Sequence, residues 1–154
     1  IDPELLRILH YPLYGKETRE IKKIISDSEV KSQSLYIATS RPAGDWQKGA
    51  NTASFQKKMG PVAMKKGETA YSISHFTINE MPEGIYLHIW SFGDVKVYLN
   101  GILVIDKKII SRRHYEDVNL IEFIPLLKKG ENTLAVESGS YEQNAEFDYG
   151  LLGY

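Results

Sequence analysis

The chain contains no cysteine. Disulfide bridges, thiolate metal sites and a cysteine nucleophile are therefore excluded, while the compartment stays open. No apolar run exceeds about five residues, far short of the ~20 that cross a bilayer as a helix. A surplus of one charge is also missing. Nineteen Lys and Arg stand against 20 Asp and Glu, a formal net charge of −1. The basic residues gather no further than pairs such as Lys57-Lys58, Lys65-Lys66, Lys107-Lys108 and Arg112-Arg113. Phosphate backbones need a concentrated basic field, so nucleic acid is not an expected partner. His10, His75, His88 and His114 are scattered, without the spacings of a zinc site. No Gly-x-Ser-x-Gly elbow and no glycine-rich phosphate loop is present.

What is present is an ordinary globular composition, 42% hydrophobic and 25% charged over 154 residues, enough for one domain with its own core. The most informative stretch is 94–107. Val95, Val97 and Leu99 alternate with Lys96 and Tyr98, the period-2 pattern of a strand with one buried face. Asn100-Gly101 follows, the dipeptide that most readily accepts positive φ at both centres of a type I′ turn. The chain then resumes with β-branched residues over 102–105, which predicts a tight hairpin.

Short strands are expected at 35–39, 69–79, 85–90, 133–138 and 147–152, with a strand tightening into a helical turn over 118–127. In 69–79, Tyr71 and Ile73 share one parity and Phe76 and Ile78 the other, which predicts a bulge near Ser74-His75. Residues 41–60 form a long, weakly patterned loop of the kind that often carries function. Before the strands, Asp2-Pro3-Glu4 is a good helix entry. Ile21, Ile24 and Ile25 fall on one side of a helical pattern over 17–26. The expected organisation is an all-β antiparallel sandwich over 31–154, preceded by a short helical extension over 1–30. No signal peptide is legible at Ile1, and the abrupt start reads as a cut from a longer chain.

Four pieces in order carry a resemblance: 71–78 before Pro82, Asp94 to Gly101, 115–120, and 127–136. With Trp46-Gln-Lys-Gly49 and Asp148-Tyr-Gly-Leu151 they resemble the galactose-binding-like jelly-roll domain. The nearest variety is the sugar-binding domain of family 2 glycoside hydrolases and related multidomain bacterial glycan-processing enzymes. The resemblance covers about residues 34–154. It implies a non-catalytic, carbohydrate-binding accessory domain, a neighbouring catalytic domain in a parent chain, and a periplasmic or extracellular location. Modules of this kind often hold a structural calcium ion. The sequence has no compact Asp/Asn run to supply its ligands, so no metal residue is assigned.

Sugars offer apolar C–H faces that stack on aromatic rings and hydroxyls that need fixed polar partners. Three loops meet that description: Arg41, Asp45 and Trp46; Arg112 and His114, before Tyr115; and Tyr141, Glu142 and Asn144. These eight side chains are the expected ligand contacts. Two other readings stay open. One is a ligand-free packing domain, marked by an exposed strip at Tyr86, His88 and Trp90. The other is a small stand-alone glycan hydrolase or lyase, which requires two carboxylates, or a histidine and a carboxylate, converging in one cleft.

Overall fold

The computed structural model describes residues 22–25, 35–38, 40–50, 52–53, 55–57, 61–140 and 143–153. Among the described residues eleven strands form two antiparallel sheets. They are β1 (Lys22–Ile25), β2 (Leu35–Ala38), β3 (Gln56–Lys57), β4 (Val62–Met64), β5 (Thr69–Ile78) and β6 (Ile85–Trp90), then β7 (Phe92–Leu99), β8 (Ile102–Ile110), β9 (Glu116–Asn119), β10 (Gly130–Gly139) and β11 (Ala145–Gly153). The six-stranded sheet runs β3-β2-β5-β10-β7-β8. The five-stranded sheet runs β1-β11-β6-β9, with β4 also paired to β11.

The main core lies between the sheets. Ala70, Phe76 and Ile78 of β5, Val95, Val97 and Leu99 of β7, and Leu134 and Val136 of β10 meet Ile85, Leu87 and Ile89 of β6 and Phe147 and Leu151 of β11. The period-2 pattern read from β6 and β7 is thus the physical cause of the layering: alternate residues have only one apolar layer to enter. The predicted hairpin is present. Asn100 has φ +50° and Gly101 φ +84°, joining β7 to β8. Asn100 also fastens the turn to its surroundings. Its amide donates to the Leu126 carbonyl and to Asn132 Oδ1, while its Oδ1 accepts the Thr133 N–H.

Two expectations are corrected. Residues 22–25 were read as helix, yet Lys22–Ile25 is a strand paired to β11. A strand needs only a free sheet edge, and pairing there overrides a weak helical pattern. The remainder of 1–30 lies outside the described residues. The predicted bulge near Ser74-His75 is absent: β5 pairs with β10 in unbroken register from Thr69 to Ile78. Its parity changes because both faces are covered. The inner face carries Ser72 and Ser74, whose hydroxyls meet the Tyr149 hydroxyl from the opposite sheet. The outer face carries Tyr71 and Ile73, covered by the 40–55 segment. The one irregularity in the hairpin is at Val97/Tyr98, where Val104 is the extra residue opposite.

Candidate functional site

Trp46 begins a short 3-10 turn, Trp46–Lys48, within the 40–55 segment. The indole is 1% exposed and belongs to a second apolar cluster with Phe55, Tyr71, Ile73 and Ala135. Tyr71 meets it edge-on at 5.5 Å and Tyr98 at 6.1 Å, with Phe55 tilted at 6.1 Å. No ring face is left for a sugar. Trp46, expected to stack on a ligand, packs on the outer face of the six-stranded sheet and clasps the loop to it. Arg41 and Asp45 are exposed beside it. Arg41 Nη1 lies 3.4 Å from Glu137 Oε1, and the Asp45 carbonyl accepts the Lys48 N–H. None of these three residues lines the cleft described next.

A cleft of about 620 Å³ opens instead at one end of the sandwich, within the range typical of ligand sites. Its position follows from a single residue. Ser91 alone separates β6 in one sheet from β7 in the other, so the chain changes layer within one peptide step. Ser91 is fully buried; its Oγ meets Ser138 Oγ at 2.8 Å and its N–H donates to Ser111 Oγ at 3.2 Å. The crossing therefore presents the half-buried rings of Trp90 and Phe92 on either side of a fixed corner, and both line the cleft.

The walls come from the β4–β5 turn and the β10–β11 loop. Met64, Lys65 and Glu68 supply one, and Gln143, Asn144 and Glu146 the other. Hydrogen bonds lace the two together. The Gly67 N–H donates to the Ser140 carbonyl at 2.8 Å, the Ser140 N–H to the Glu68 carbonyl at 2.7 Å, and the Lys66 N–H to Asn144 Oδ1 at 2.9 Å. Gly67 sits at φ +84°, which lets the turn bring its N–H onto the neighbouring loop. Glu68 Oε1 accepts the Lys65 N–H at 2.6 Å, and Ser140 Oγ donates to the Gln143 carbonyl at 2.6 Å. Asn144 is thereby held by its oxygen, with the amide nitrogen left as a donor. The cleft combines two aromatic rings, a lysine, two carboxylates and two carboxamides.

Of the eight expected contacts six are among the described residues, and of those six Asn144 lines this cleft. Arg112 and His114 are exposed on the β8–β9 loop at the same end, where the Ser111 N–H bonds the Ser91 carbonyl and His114 Nδ1 lies 2.9 Å from the Tyr115 carbonyl. Tyr141 and Glu142 lie outside the described residues. Sequence reasoning missed Trp90 and Phe92 as site residues. The available signal was a pair of aromatics flanking one small residue at a strand end.

Beside the cleft, on the outer face of the five-stranded sheet, Tyr86 is 3% and His88 6% exposed, so the exposed strip that would mark a packing domain is not formed by these two. His88 Nδ1 lies 2.7 Å from Asp117 Oδ1. Among the described residues no three His, Asp or Glu side chains come together as a metal site, and no calcium ligand is assigned. Inside the sandwich, burial pushes the Tyr149 hydroxyl up to about 12; hydrogen bonds from Ser72 and Ser74 oppose that shift and the Asp148 charge adds to it.

No protein-family model matches the chain, and no curated protein matches it. Solved structures do. Two structures of a β-glucuronidase from Ruminococcus gnavus align with TM-scores of 0.55 and 0.56 at 8% identity, over 87% and 86% of this chain and 29% and 28% of theirs. A family 35 carbohydrate-binding module from Clostridium thermocellum aligns over 87% of this chain and 98% of its own at 11% identity, with a TM-score of 0.43. The chain thus spans less than a third of the length of the β-glucuronidase it matches. At these identities the likeness shows the fold alone, an all-β antiparallel sandwich.

Proposed function

We propose that this chain is a non-catalytic, carbohydrate-binding accessory domain of a larger glycoside-hydrolase-type enzyme, and that its sugar seats in the cleft beside Trp90. One observation carries the reading: two aromatic rings held at a rigid layer crossing, facing walls of amide, carboxylate and ammonium groups. The rings suit the C–H face of a pyranose, and the walls suit its hydroxyls. Matching a β-glucuronidase over less than a third of its length supports the accessory role and a neighbouring catalytic domain as partner. A periplasmic or extracellular location goes with that role. No helix among the described residues is long and apolar enough to cross a membrane.

The test is a glycan array followed by calorimetry on the strongest hit. Trp90→Ala is expected to lower affinity by at least tenfold, the effect of losing a central aromatic contact of about 1.4 kcal/mol or more. Unchanged binding in Trp90→Ala sinks the assignment of the cleft. Turnover of aryl glycosides by the isolated chain, abolished by Glu68→Gln or Glu146→Gln, overturns the non-catalytic role.

A further inference from the structure

We propose that Tyr115, clamped by Asp148, is the positioning residue that sets the Trp90 ring for ligand; this rests on the cleft reading above. Tyr115 immediately precedes β9, at the edge of the five-stranded sheet. Its ring lies parallel to that of His88, with centroids 4.5 Å apart and planes 6° from each other. On its other side it meets Trp90 at 5.6 Å, tilted by 54°. Its hydroxyl donates to Asp148 Oδ2 at 2.7 Å. Asp148 is the cross-strand partner of Trp90 on β11, and Asp117 is that of His88 on β9.

Three strands therefore hold one ring. β9 holds His88 through Asp117, β6 carries His88 and Trp90 on one face, and β11 anchors the phenol through Asp148. A ring stacked on one side and hydrogen-bonded at its tip has no alternative rotamer, so the surface it shows to Trp90 is constant. Among the described residues the Trp90 side chain has no hydrogen-bond partner that would fix its tilt. Packing against Tyr115 does so, and what remains of the indole lines the cleft. Binding that depends on stacking needs the ring plane settled before the ligand arrives, because ordering it afterwards subtracts from affinity.

The two tryptophans make this measurable. Trp46 is shielded, so acrylamide quenching of the emission reads Trp90. Trp90→Phe verifies that assignment by removing the quenchable component. Tyr115→Phe keeps the stacked ring and deletes the bond to Asp148. It is expected to raise the quenching constant and to weaken the strongest array glycan roughly three- to tenfold, the loss that corresponds to one hydrogen bond. Asp148→Asn, made alone, keeps an acceptor for the phenol and is expected to leave both readouts near wild type. A merely structural role moves the melting temperature without changing the quenching of Trp90. If Tyr115→Phe leaves either quenching or affinity at the wild-type value while Trp90→Ala has lost binding, the positioning role is overturned and the cleft reading stands. If Trp90→Ala binds normally, the cleft reading fails and the proposal fails with it.

Discussion

Replacing Trp46 by alanine separates packing from binding at an aromatic residue expected among the sugar contacts. The indole is buried at 1% exposure, with Phe55, Tyr71 and Tyr98 around it at ring distances of 5.5 to 6.1 Å. Truncating a buried tryptophan removes its transfer free energy and leaves a cavity, together about 3–5 kcal/mol. A domain of this size has only about 5–15 kcal/mol in all. At about 2–4 °C per kcal/mol, the melting temperature should fall by roughly 6–20 °C. Urea unfolding followed by far-UV circular dichroism gives the free energy directly, and an unchanged m-value shows that the denatured state was not altered. Trp46→Phe, which refills part of the space, should cost about half as much. Glycan affinity, measured well below the transition, should stay at the wild-type value. Full stability with lost binding would refute the reasoning and return Trp46 to the ligand.

Other perturbations follow from the same packing. Asn100→Ala loses three hydrogen bonds at a residue with φ +50° and should destabilise by about 2–3 kcal/mol; Asn100→Gly, which relieves only the backbone, should cost less in the same denaturation assay. Gly93→Ala would put its Cβ 2.2 Å from the Gly139 carbonyl oxygen, a backbone atom, and should cost about 3 kcal/mol, whereas Gly139→Ala meets nothing nearer than 3.7 Å and should be close to neutral. For Tyr149 the sign is fixed by a hydroxyl that stays protonated in the fold up to about pH 12 and ionises near 10.0 when unfolded. Stability is full below pH 10 and falls as pH rises from 10 to 12, by about 1.4 kcal/mol per unit. Tyr149→Phe should flatten that alkaline limb relative to wild type in pH-dependent unfolding, and a parallel decline in both proteins would contradict it.

The strands were legible where the physics is local. Ile85, Leu87 and Ile89 alternate cleanly, and Ile85–Trp90 is the strand observed. Asn100-Gly101 demanded positive φ and has it. The turn into 133–138 needed a glycine in the left-handed region, and Gly130 lies at φ +93°. Val62–Met64 was missed because three residues are too short for a period to register. Lys22–Ile25 misled because isoleucines spaced for one helical face serve equally well on a sheet edge.

The amino-acid sequence by itself therefore determined the layers: period-2 runs and turn dipeptides commit each short segment to a strand and a reversal, whatever lies farther along the chain. Only the tertiary structure decided which aromatics meet solvent. Trp46 and Trp90 both stand beside polar loop residues, yet one is roofed by its own loop over β5 and β10 and the other opens on a cleft. Burial depends on which distant segment crosses above a ring. The cleft exists because Ser91, Ser138, Ser111 and the Gly67–Ser140 contact draw together four stretches far apart in the sequence, and no local pattern encodes that meeting.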